Sequence, residues 1–389
     1  MKLLFVTPYF YPKIGGVENY VYEISSRLTK KYNAEIVIVC SNWKNNKYKK
    51  EFINNIKVYR LPYLFKVSST PINPFWVKKI DSIIEKENPN IVNGHFPVPY
   101  IADIAARSAN KKGIPFILTY HNDLTGYNLL LKSLSKIYYY YLGYKTLDIS
   151  RRIIVTSKYY AKNSPYLRRY HHKLRVVSPG VDIQKYNINP DRTDYLKRKY
   201  NLKNEKIVLF VGQLNKESRH KGLDFLIEAI KLINDMKNLK LIVVGDGNYI
   251  NYYKNKVKSY KLTNKIIFTG YIEANNLPKY YKGSDVVVLP SYNRAEGFGM
   301  VLIEAQACGT PVIGTTVGGI PYVIVDGETG LLVPPRDPKA LAKAIIHILS
   351  DENLLKKMGQ AGYERVKKEF TWEKSTEFFL EVIKEVLNE

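Results

Sequence analysis

The stretch DVVVLPSYNRAEGFGMVLIE, residues 285–304, decides the fold. The strand that we predict over Asp285–Pro290 is built around an unbroken apolar run, and apolar residues at helical spacing begin near Gly299. A short run of this kind is typical of a strand covered on both faces, as in the parallel sheets of α/β proteins. The loop between strand and helix carries Glu296, and it leaves the sheet edge where ligands of such sheets bind.

The same alternation of apolar runs and helical segments continues along the chain as two series. In the first series we predict strands at Leu3–Thr7, Glu35–Cys40, Ile56–Leu61, Asn90–Gly94, Phe116–Thr119 and Ile153–Ser157. In the second we predict strands at Ile207–Gly212, Leu239–Gly245, Lys265–Thr269, Asp285–Pro290 and Pro311–Gly314. Helices are predicted at Val17–Lys31, Leu223–Ile233 and Ala340–Leu349.

Two such series predict an α/β protein of two Rossmann-like, doubly wound domains that face each other across a cleft. The polar stretch Asp182–Asn204 separates the two series. We therefore assign residues 1–180 to an N-terminal domain and residues 181–369 to a C-terminal domain. Residues 370–389 are expected to form a helix that crosses back to the first domain.

The composition of the 389 residues excludes several classes of protein. A hydrophobic content of 45% is too high for a disordered chain. The two cysteines, Cys40 and Cys308, are too few for a disulfide framework or a thiolate cluster, so we expect both to be buried. No secretion signal and no apolar run of about 18 residues is recognisable, so we expect a cytoplasmic protein without membrane spans.

The net charge of +25 is unevenly distributed. Residues 1–180 hold 29 Lys and Arg against 10 Asp and Glu, a net charge of +19, whereas residues 181–389 contribute only +6. Such an excess favours an anionic partner: nucleic acid, an anionic membrane or an acidic ligand. The segment from Lys132 to Lys145 interleaves basic residues with Tyr138–Tyr141, and Trp43 stands among lysines in the predicted basic loop Asn42–Lys50. These segments fit either a lipid interface or an aromatic core with a solvated face.

The most specific candidate site lies between Glu296 and Glu304. The first turn of the predicted helix offers free N–H groups to an anion, and Glu304 lies roughly 7.5 Å further along it. Two carboxylates would repel a bare phosphate, so we expect them to bind hydroxyl groups on either side of it, as in a nucleotide sugar. The alternative is a helix cap with a solvated glutamate. The amide-bearing residues of this turn are Phe298, Gly299, Met300 and Val301.

Further candidates follow the first strand of each predicted domain. Gly212 ends a strand, and Arg219 and Lys221 follow it before a helix, where cations suit a diphosphate. Gly15 and Gly16 follow the first strand and open a helix, which again suits a phosphate. A solvated basic loop and an ordinary turn are the respective alternatives.

The six histidines show no metal-ligand spacing. His121 directly follows a predicted strand and is the first candidate for contacting a substrate, and His95, also at a strand end, is the second.

Taken together, these motifs resemble retaining glycosyltransferases of family 4, which have the GT-B fold. The resemblance covers nearly the whole chain and rests chiefly on the E-x7-E pair Glu296 and Glu304 and on GFGMVLIEAQACGTPVIGT, residues 297–315. It implies an acceptor-binding first domain and a nucleotide-sugar donor-binding second domain. Two positions depart from the family pattern: Gln213 stands where an arginine is usual, and Tyr322 where a glutamate is common.

The resemblance also implies roles for individual residues. Glu296 would hold the hydroxyls of the donor sugar, Glu304 the ribose, and Lys221 the diphosphate, while His121 would contact the transferred sugar. No cofactor or divalent metal is implied. The expected reaction moves a hexose from a nucleotide sugar to a lipid-linked or polysaccharide acceptor, with peripheral membrane contact through the basic first domain.

Three other readings remain open at this stage. A nucleic-acid-binding protein would use the basic charge, but it leaves the E-x7-E pair unexplained and no nucleic-acid module motif is recognisable. A non-catalytic nucleotide-sugar binder and a sugar-nucleotide epimerase of the same fold are the other two.

Overall fold

The structure, a computed structural model, describes residues 1–13, 15–67, 70–126, 129–186, 194–233, 236 and 238–389. It divides the chain into two compact units, one of Met1–Pro179 with Trp372–Glu389 and the other of Gly180–Thr371. These bounds differ by one or two residues from those we read from the sequence. Residues 187–193 of the polar stretch between the two series lie outside the described residues.

The first unit is built on an eight-stranded sheet of order β10-β9-β8-β7-β1-β2-β4-β3, with a separate hairpin β5–β6. The strands are β1 Lys2–Val6, β2 Glu35–Ser41, β3 Lys49–Ile53, β4 Ile56–Leu61, β5 Phe65–Val67, β6 Thr70–Ile72, β7 Ile91–Phe96, β8 Phe116–Tyr120, β9 Arg152–Val155 and β10 Leu174–Val176. The helices are α1 Gly16–Tyr32, α2 Trp76–Glu87, α3 Ile101–Lys111, α4 Leu129–Tyr138, α5 Tyr144–Ile149 and α6 Lys158–Asn163. A π-helical turn, Tyr139–Gly143, joins α4 to α5, and a 3₁₀ helix spans Arg168–Lys173.

Two details of this sheet correct the sequence-based prediction. Lys49 and Lys50 lie in strand β3, which pairs antiparallel with β4, and not in a loop. Strand β7 continues two residues beyond Gly94, because His95 and Phe96 pair with Thr119 and Tyr120 of β8. His95 is therefore an internal, fully buried strand residue and does not stand at a strand end.

The second unit is built on a six-stranded parallel sheet of order β13-β12-β11-β14-β15-β16. Its strands are β11 Lys206–Val211, β12 Leu239–Val244, β13 Ile266–Gly270, β14 Val286–Leu289, β15 Val312–Thr315 and β16 Gly330–Val333. Its helices are α7 Ile183–Tyr186, α8 Tyr195–Lys199, α9 Leu223–Leu232, α10 Ile250–Ser259, α11 Leu277–Lys282, α12 Met300–Ala307, α13 Ile320–Val323, α14 Pro338–Ser350 and α15 Glu352–Glu369. A 3₁₀ helix, Lys216–Lys221, precedes α9.

The prediction of strands covered on both faces is confirmed in the second unit. Along β11, Val208 and Phe210 belong to one buried cluster, whereas Leu209 and Val211 belong to another on the opposite face. The prediction for the cysteines is also confirmed, because Cys40 and Cys308 are both free and buried. No helix in the described part of the chain is long and apolar enough to span a bilayer.

The last helix, α16 Trp372–Leu387, belongs to the first unit. Phe379 is fully buried and its ring lies 5.6 Å from that of Phe5 on β1. At the other end of the helix, Glu385 accepts hydrogen bonds from Arg152 and Arg175, which hold its pKa below the usual value. An apolar contact and a charged one therefore fix this helix to the sheet.

Two adjacent phenylalanines test this packing. We expect Phe379→Ala to lower the free energy of unfolding of the first unit by about 3–5 kcal/mol, because it opens a cavity beneath β1. Phe378 is 46% exposed, so Phe378→Ala should cost less than about 1 kcal/mol. Urea unfolding followed by tryptophan fluorescence measures both, and equal losses would contradict the packing of α16 described above.

Candidate active site

The strand order of the second unit brings the first two candidate segments together. Strand β11 lies between β12 and β14, so successive segments of the chain leave it in opposite directions, and a crevice forms where the order reverses. Gly212 follows β11 there, and the loop from Ser291 to Glu296 follows β14.

An ion pair between a buried glutamate and a partly buried lysine occupies this position. Lys221 Nζ lies 3.2 Å from Glu296 Oε2, and the Ser291 hydroxyl donates a hydrogen bond to the same oxygen, also at 3.2 Å. The Glu296 residue is only 8% exposed. Burial alone would raise the pKa of Glu296, but the charges of Lys221 and His220 and the two hydrogen bonds outweigh it, so the pKa lies below its usual value. Glu296 is therefore an ionised acceptor of hydrogen bonds at neutral pH.

Two glycines allow the backbone to close around this pair. Gly222 ends the 3₁₀ helix with φ +80°, and a Cβ atom there would lie 1.9 Å from the Pro290 carbonyl oxygen. Gly318 has φ +59°, and a Cβ atom there would lie 1.9 Å from the Glu296 carbonyl oxygen. Any side chain at either position would push apart the segments that carry Lys221 and Glu296.

Helix α12 begins at Met300, which confirms the predicted start near Gly299. Gly299 has φ +95°, and no side chain among the described residues caps this N-terminus. The first-turn N–H groups of an α-helix have no partner within the helix, so those near Met300 and Val301 are available to an anion. Phe298, just before the helix, is buried and packs against Phe370.

Glu304 lies one turn into α12 and is partly buried. The Tyr281 hydroxyl donates a hydrogen bond to Glu304 Oε2 at 2.6 Å. Burial dominates here and raises the pKa of Glu304. The pKa values of the two glutamates of the E-x7-E pair are therefore shifted in opposite directions, which their spacing in the sequence did not reveal.

Arg219 makes local contacts of its own next to Lys221. Its Nη2 lies 3.2 Å from Asp224 Oδ2, and its guanidinium carbon lies 5.2 Å and 5.4 Å from the ring centroids of Tyr249 and Tyr252. Gln213, one residue after Gly212, is exposed. Of the two cations predicted for this site, only Lys221 contacts the glutamate.

In the first unit, Gly15 and Gly16 lie at the N-terminus of α1, as predicted. The Glu18 side chain folds back over this turn, since a Cβ atom on Gly15 would lie 2.2 Å from Glu18 Oε2. Burial raises the pKa of Glu18 and lowers that of Lys13, 4.0 Å away, to about 8.

His121 directly follows β8 and is 7% exposed. Its Nε2 lies 3.1 Å from His95 Nδ1, and the two rings are stacked at 19° with centroids 5.4 Å apart. The buried ring of Tyr20 meets His121 edge-on at 5.0 Å. Burial lowers the pKa of His121 to about 3, and burial together with His121 holds the pKa of His95 well below its usual value. Both histidines were candidates from the sequence, but the sequence did not reveal that they form a hydrogen-bonded pair.

No group of three or more His, Cys, Asp or Glu side chains in the described ranges is arranged to hold a metal ion.

Acid should destabilise the first unit through the histidine pair. The folded rings are neutral, whereas an unfolded histidine has a pKa of about 6.5, so the unfolded chain binds more protons below that pH. The free energy of unfolding should therefore fall as the pH drops from about 6.5 towards the His121 pKa of about 3. We expect a loss of up to about 1.4 kcal/mol per pH unit for each ring.

Urea unfolding of the first unit at about pH 7.5 and about pH 5.5 measures this loss. His121→Gln should reduce the difference between the two pH values, whereas His171→Gln should not, because His171 is exposed. If the free energy of unfolding changed equally with pH in the wild type and in His121→Gln, the proposal that the folded histidines are neutral would be contradicted.

Comparison with known proteins places these features in a family. The profile of Glycosyltransferase Family 4 matches residues 14–185, and that of Glycosyl transferases group 1 matches residues 192–365. An uncharacterized glycosyltransferase of Methanocaldococcus jannaschii is 33% identical over 377 residues, which cover 96% of this chain and 95% of the relative.

Solved structures agree on the fold. Sucrose-phosphate synthase of Thermosynechococcus elongatus superposes with a TM-score of 0.80 at 24% identity, over 100% of this chain and 99% of that one. Anabaena HepE in complex with UDP-glucose gives a TM-score of 0.78 at 18% identity, over 99% and 100%. The chain therefore belongs to glycosyltransferase family 4 with the GT-B fold, and it is a retaining glycosyltransferase that takes its sugar from a nucleotide sugar.

Proposed function

We propose that this glycosyltransferase moves a hexose from a nucleoside diphosphate sugar to a hydroxyl group of a lipid-linked or glycan acceptor, without a divalent metal. The observation that carries the proposal is the ion pair of Lys221 with the buried Glu296 at 3.2 Å, four residues before the N-terminus of α12, which no side chain among the described residues caps. This arrangement offers positive charge for a diphosphate next to an ionised acceptor for sugar hydroxyls. We therefore assign donor binding to the second unit, as the resemblance to the family implies.

Each of the two glutamates has its own role in donor binding. Glu296, ionised and buried, accepts hydrogen bonds from hydroxyls of the hexose. Glu304, one turn along α12, accepts them from the ribose. The N–H groups at Gly299, Met300 and Val301 lie between them, where the diphosphate is required. Lys221 has three N–H donors and uses one on Glu296, and the others have no partner among the residues that the structure describes, so they can serve the phosphate oxygens.

The chemical step breaks the bond between the anomeric carbon and the β-phosphate oxygen and forms a bond from the acceptor oxygen to the same face of that carbon. Negative charge grows on the departing phosphate, and Lys221 with the α12 amides stabilises it. The acceptor proton passes to the departing phosphate oxygen. No separate general base is then needed, and the enzyme contributes mainly orientation and electrostatics.

We propose that His121 contacts the transferred sugar and that Gly15 and Gly16 approach the donor phosphate. His121 directly follows β8, and Gly15 and Gly16 follow β1, in the part of the first unit that we assign to acceptor binding. With a pKa of about 3, His121 stays neutral and acts as a hydrogen-bonding group, not as an acid. Its Nε2 is engaged by His95, which leaves Nδ1 for the sugar.

The acceptor class is supported by the charge of the first unit. This unit carries most of the basic excess, and α4 presents Leu130 and Ile137 at 68% and 52% exposure beside Lys132 and Lys136. Tyr140 and Tyr141 of the π-helical turn are exposed as well, whereas Tyr139 is buried. The segment thus has both an exposed amphipathic face and an aromatic core, and we propose peripheral binding at the cytoplasmic face of a membrane.

The donor roles are tested by single substitutions. We expect Glu296→Gln to lower kcat by about 10²-fold or more, because the neutral amide binds hydroxyls more weakly and leaves Lys221 without its counter-charge. Glu381→Gln, an exposed change on α16 of the same chemistry, should leave turnover unchanged. Transfer is measured with radiolabelled UDP-, GDP- and ADP-hexoses and membrane extracts as acceptor.

The products of this assay also decide between the alternatives. A new glycoside with retained configuration, formed equally in the presence of EDTA, supports the proposal. An isomerised nucleotide sugar would indicate an epimerase, and binding without turnover would indicate a non-catalytic protein. Full turnover by Glu296→Gln would overturn the role given to Glu296.

A further inference from the structure

The hairpin β5–β6 stands outside the main sheet of the first unit. It pairs Phe65 with Ile72 and Val67 with Thr70, and within the described ranges it joins no other strand. All three residues of β5 are exposed, so neither face of this strand is covered. A two-stranded hairpin of this size is marginally stable in water without a partner.

The hairpin and the start of α2 both expose apolar side chains, and we call this set the hairpin face. The Leu64 N–H donates to the Ile72 carbonyl oxygen at 2.9 Å, and the Trp76 indole donates to the Pro62 carbonyl oxygen at 2.7 Å. These bonds tie the hairpin to the helix that follows. The exposed side chains are Leu64 (61%), Phe65 (52%), Val67 (43%), Phe75 (71%) and Val77 (52%). A patch of this kind marks an interaction site.

A groove of about 540 Å³ shares Phe75 with this face. Tyr48, Phe75 and Trp76 line it, and Lys78 and Lys79 stand at it, with Lys79 Nζ 4.4 Å from the centroid of the Tyr48 ring. The groove thus joins an apolar wall to two ammonium groups.

The stretch of chain that forms this face is basic. The chain holds no Asp or Glu between Phe52 and Ile80. Within the described residues Lys66, Lys78 and Lys79 form no ion pair, although each belongs to or adjoins the hairpin face. An occupant must therefore supply both negative charge and apolar surface.

We propose that the hairpin face docks on an anionic lipid bilayer, with the groove taking one anionic lipid and Lys78 and Lys79 contacting its phosphate. A bilayer supplies apolar chains beneath anionic headgroups, which matches aliphatic side chains beside lysines. A soluble acidic glycan or a nucleic acid satisfies the lysines but gives Leu64, Val67 and Val77 nothing to pack against.

This docking also suits the transfer reaction, and in that respect it rests on the proposed function. The segments that form the face follow β2 and β4, at the carboxyl edge of the sheet where β8 ends at His121. Four strand spacings separate β4 from β8 in the sheet, or about 19 Å. A lipid held in the groove would present its headgroup along the edge that carries His121.

Vesicle flotation tests the proposal without any donor or acceptor. The full chain is mixed at low salt with vesicles of phosphatidylcholine alone or of equal parts phosphatidylcholine and phosphatidylglycerol. We expect flotation only with the anionic vesicles. The double variant Lys78→Glu, Lys79→Glu should reduce it by at least about tenfold, and Leu64→Ser, Phe65→Ser should reduce it similarly.

Two matched controls accompany these variants. Lys356→Glu, Lys357→Glu makes the same charge change at an adjacent exposed pair on α15, and Phe378→Ser removes an exposed aromatic ring from α16. Both should float as the wild type does. Thermal unfolding and binding of UDP, GDP or ADP by the second unit should be unchanged in every variant, so a loss of flotation is not a loss of folding.

The other outcomes overturn the proposal. Absence of flotation, equal flotation with neutral vesicles, or equal losses in the control variants would each exclude this docking surface. A soluble dimer that Leu64→Ser, Phe65→Ser dissociates would indicate a second copy of the chain, and capture by a soluble polyanion that needs only the lysines would indicate an acidic glycan. Loss of transfer in Glu296→Gln is a separate result, since that variant should still float.

Discussion

The ionised carboxylate of Glu296, buried at the carboxyl ends of parallel strands, is the constraint on which the proposed donor site depends. A buried charge is tolerated only when a counter-charge and hydrogen bonds accompany it, and here Lys221 and Ser291 supply them. Lys221 reaches Glu296 because Gly222 lets the 3₁₀ helix approach the end of β14. The strand order therefore brings the two segments together, Gly222 lets them approach closely, and the ion pair makes the buried charge of Glu296 tolerable.

Burial has opposite outcomes for the charge of Glu296 in the second unit and of the two histidines in the first. In the second unit, burial is outweighed by positive charge and Glu296 stays ionised. In the first unit, burial prevails and His95 and His121 stay neutral. Under the proposed function, a neutral His121 adds no positive charge to the oxocarbenium-like centre, where positive charge already develops. Lys221 would supply positive charge for the leaving phosphate, which gains negative charge in the same step.

Much of this could be predicted from the sequence, because long apolar runs and the EGFGMVLIE element carry their own periodicity. Strands β3 and β5 were missed because their residues are largely exposed and their apolar residues are too few to set a pattern. Other strands were missed or predicted too short because only pairing with a distant strand shows where they end. Strand β7 is an example, since His95 belongs to it through its pairing with β8. The partners of Arg219 and Glu304, namely Asp224 and Tyr281, depend on helix packing that no local pattern encodes.

A double-mutant cycle on Lys221 and Glu296 tests the central claim most directly, with kcat/KM for the donor as the quantity measured. If the two side chains work as one buried unit, Lys221→Met and Glu296→Gln should each cost a large factor, and the double variant should lose little more than the worse single variant. Losses that multiply would contradict the account, because they would show that the two groups act independently on the donor.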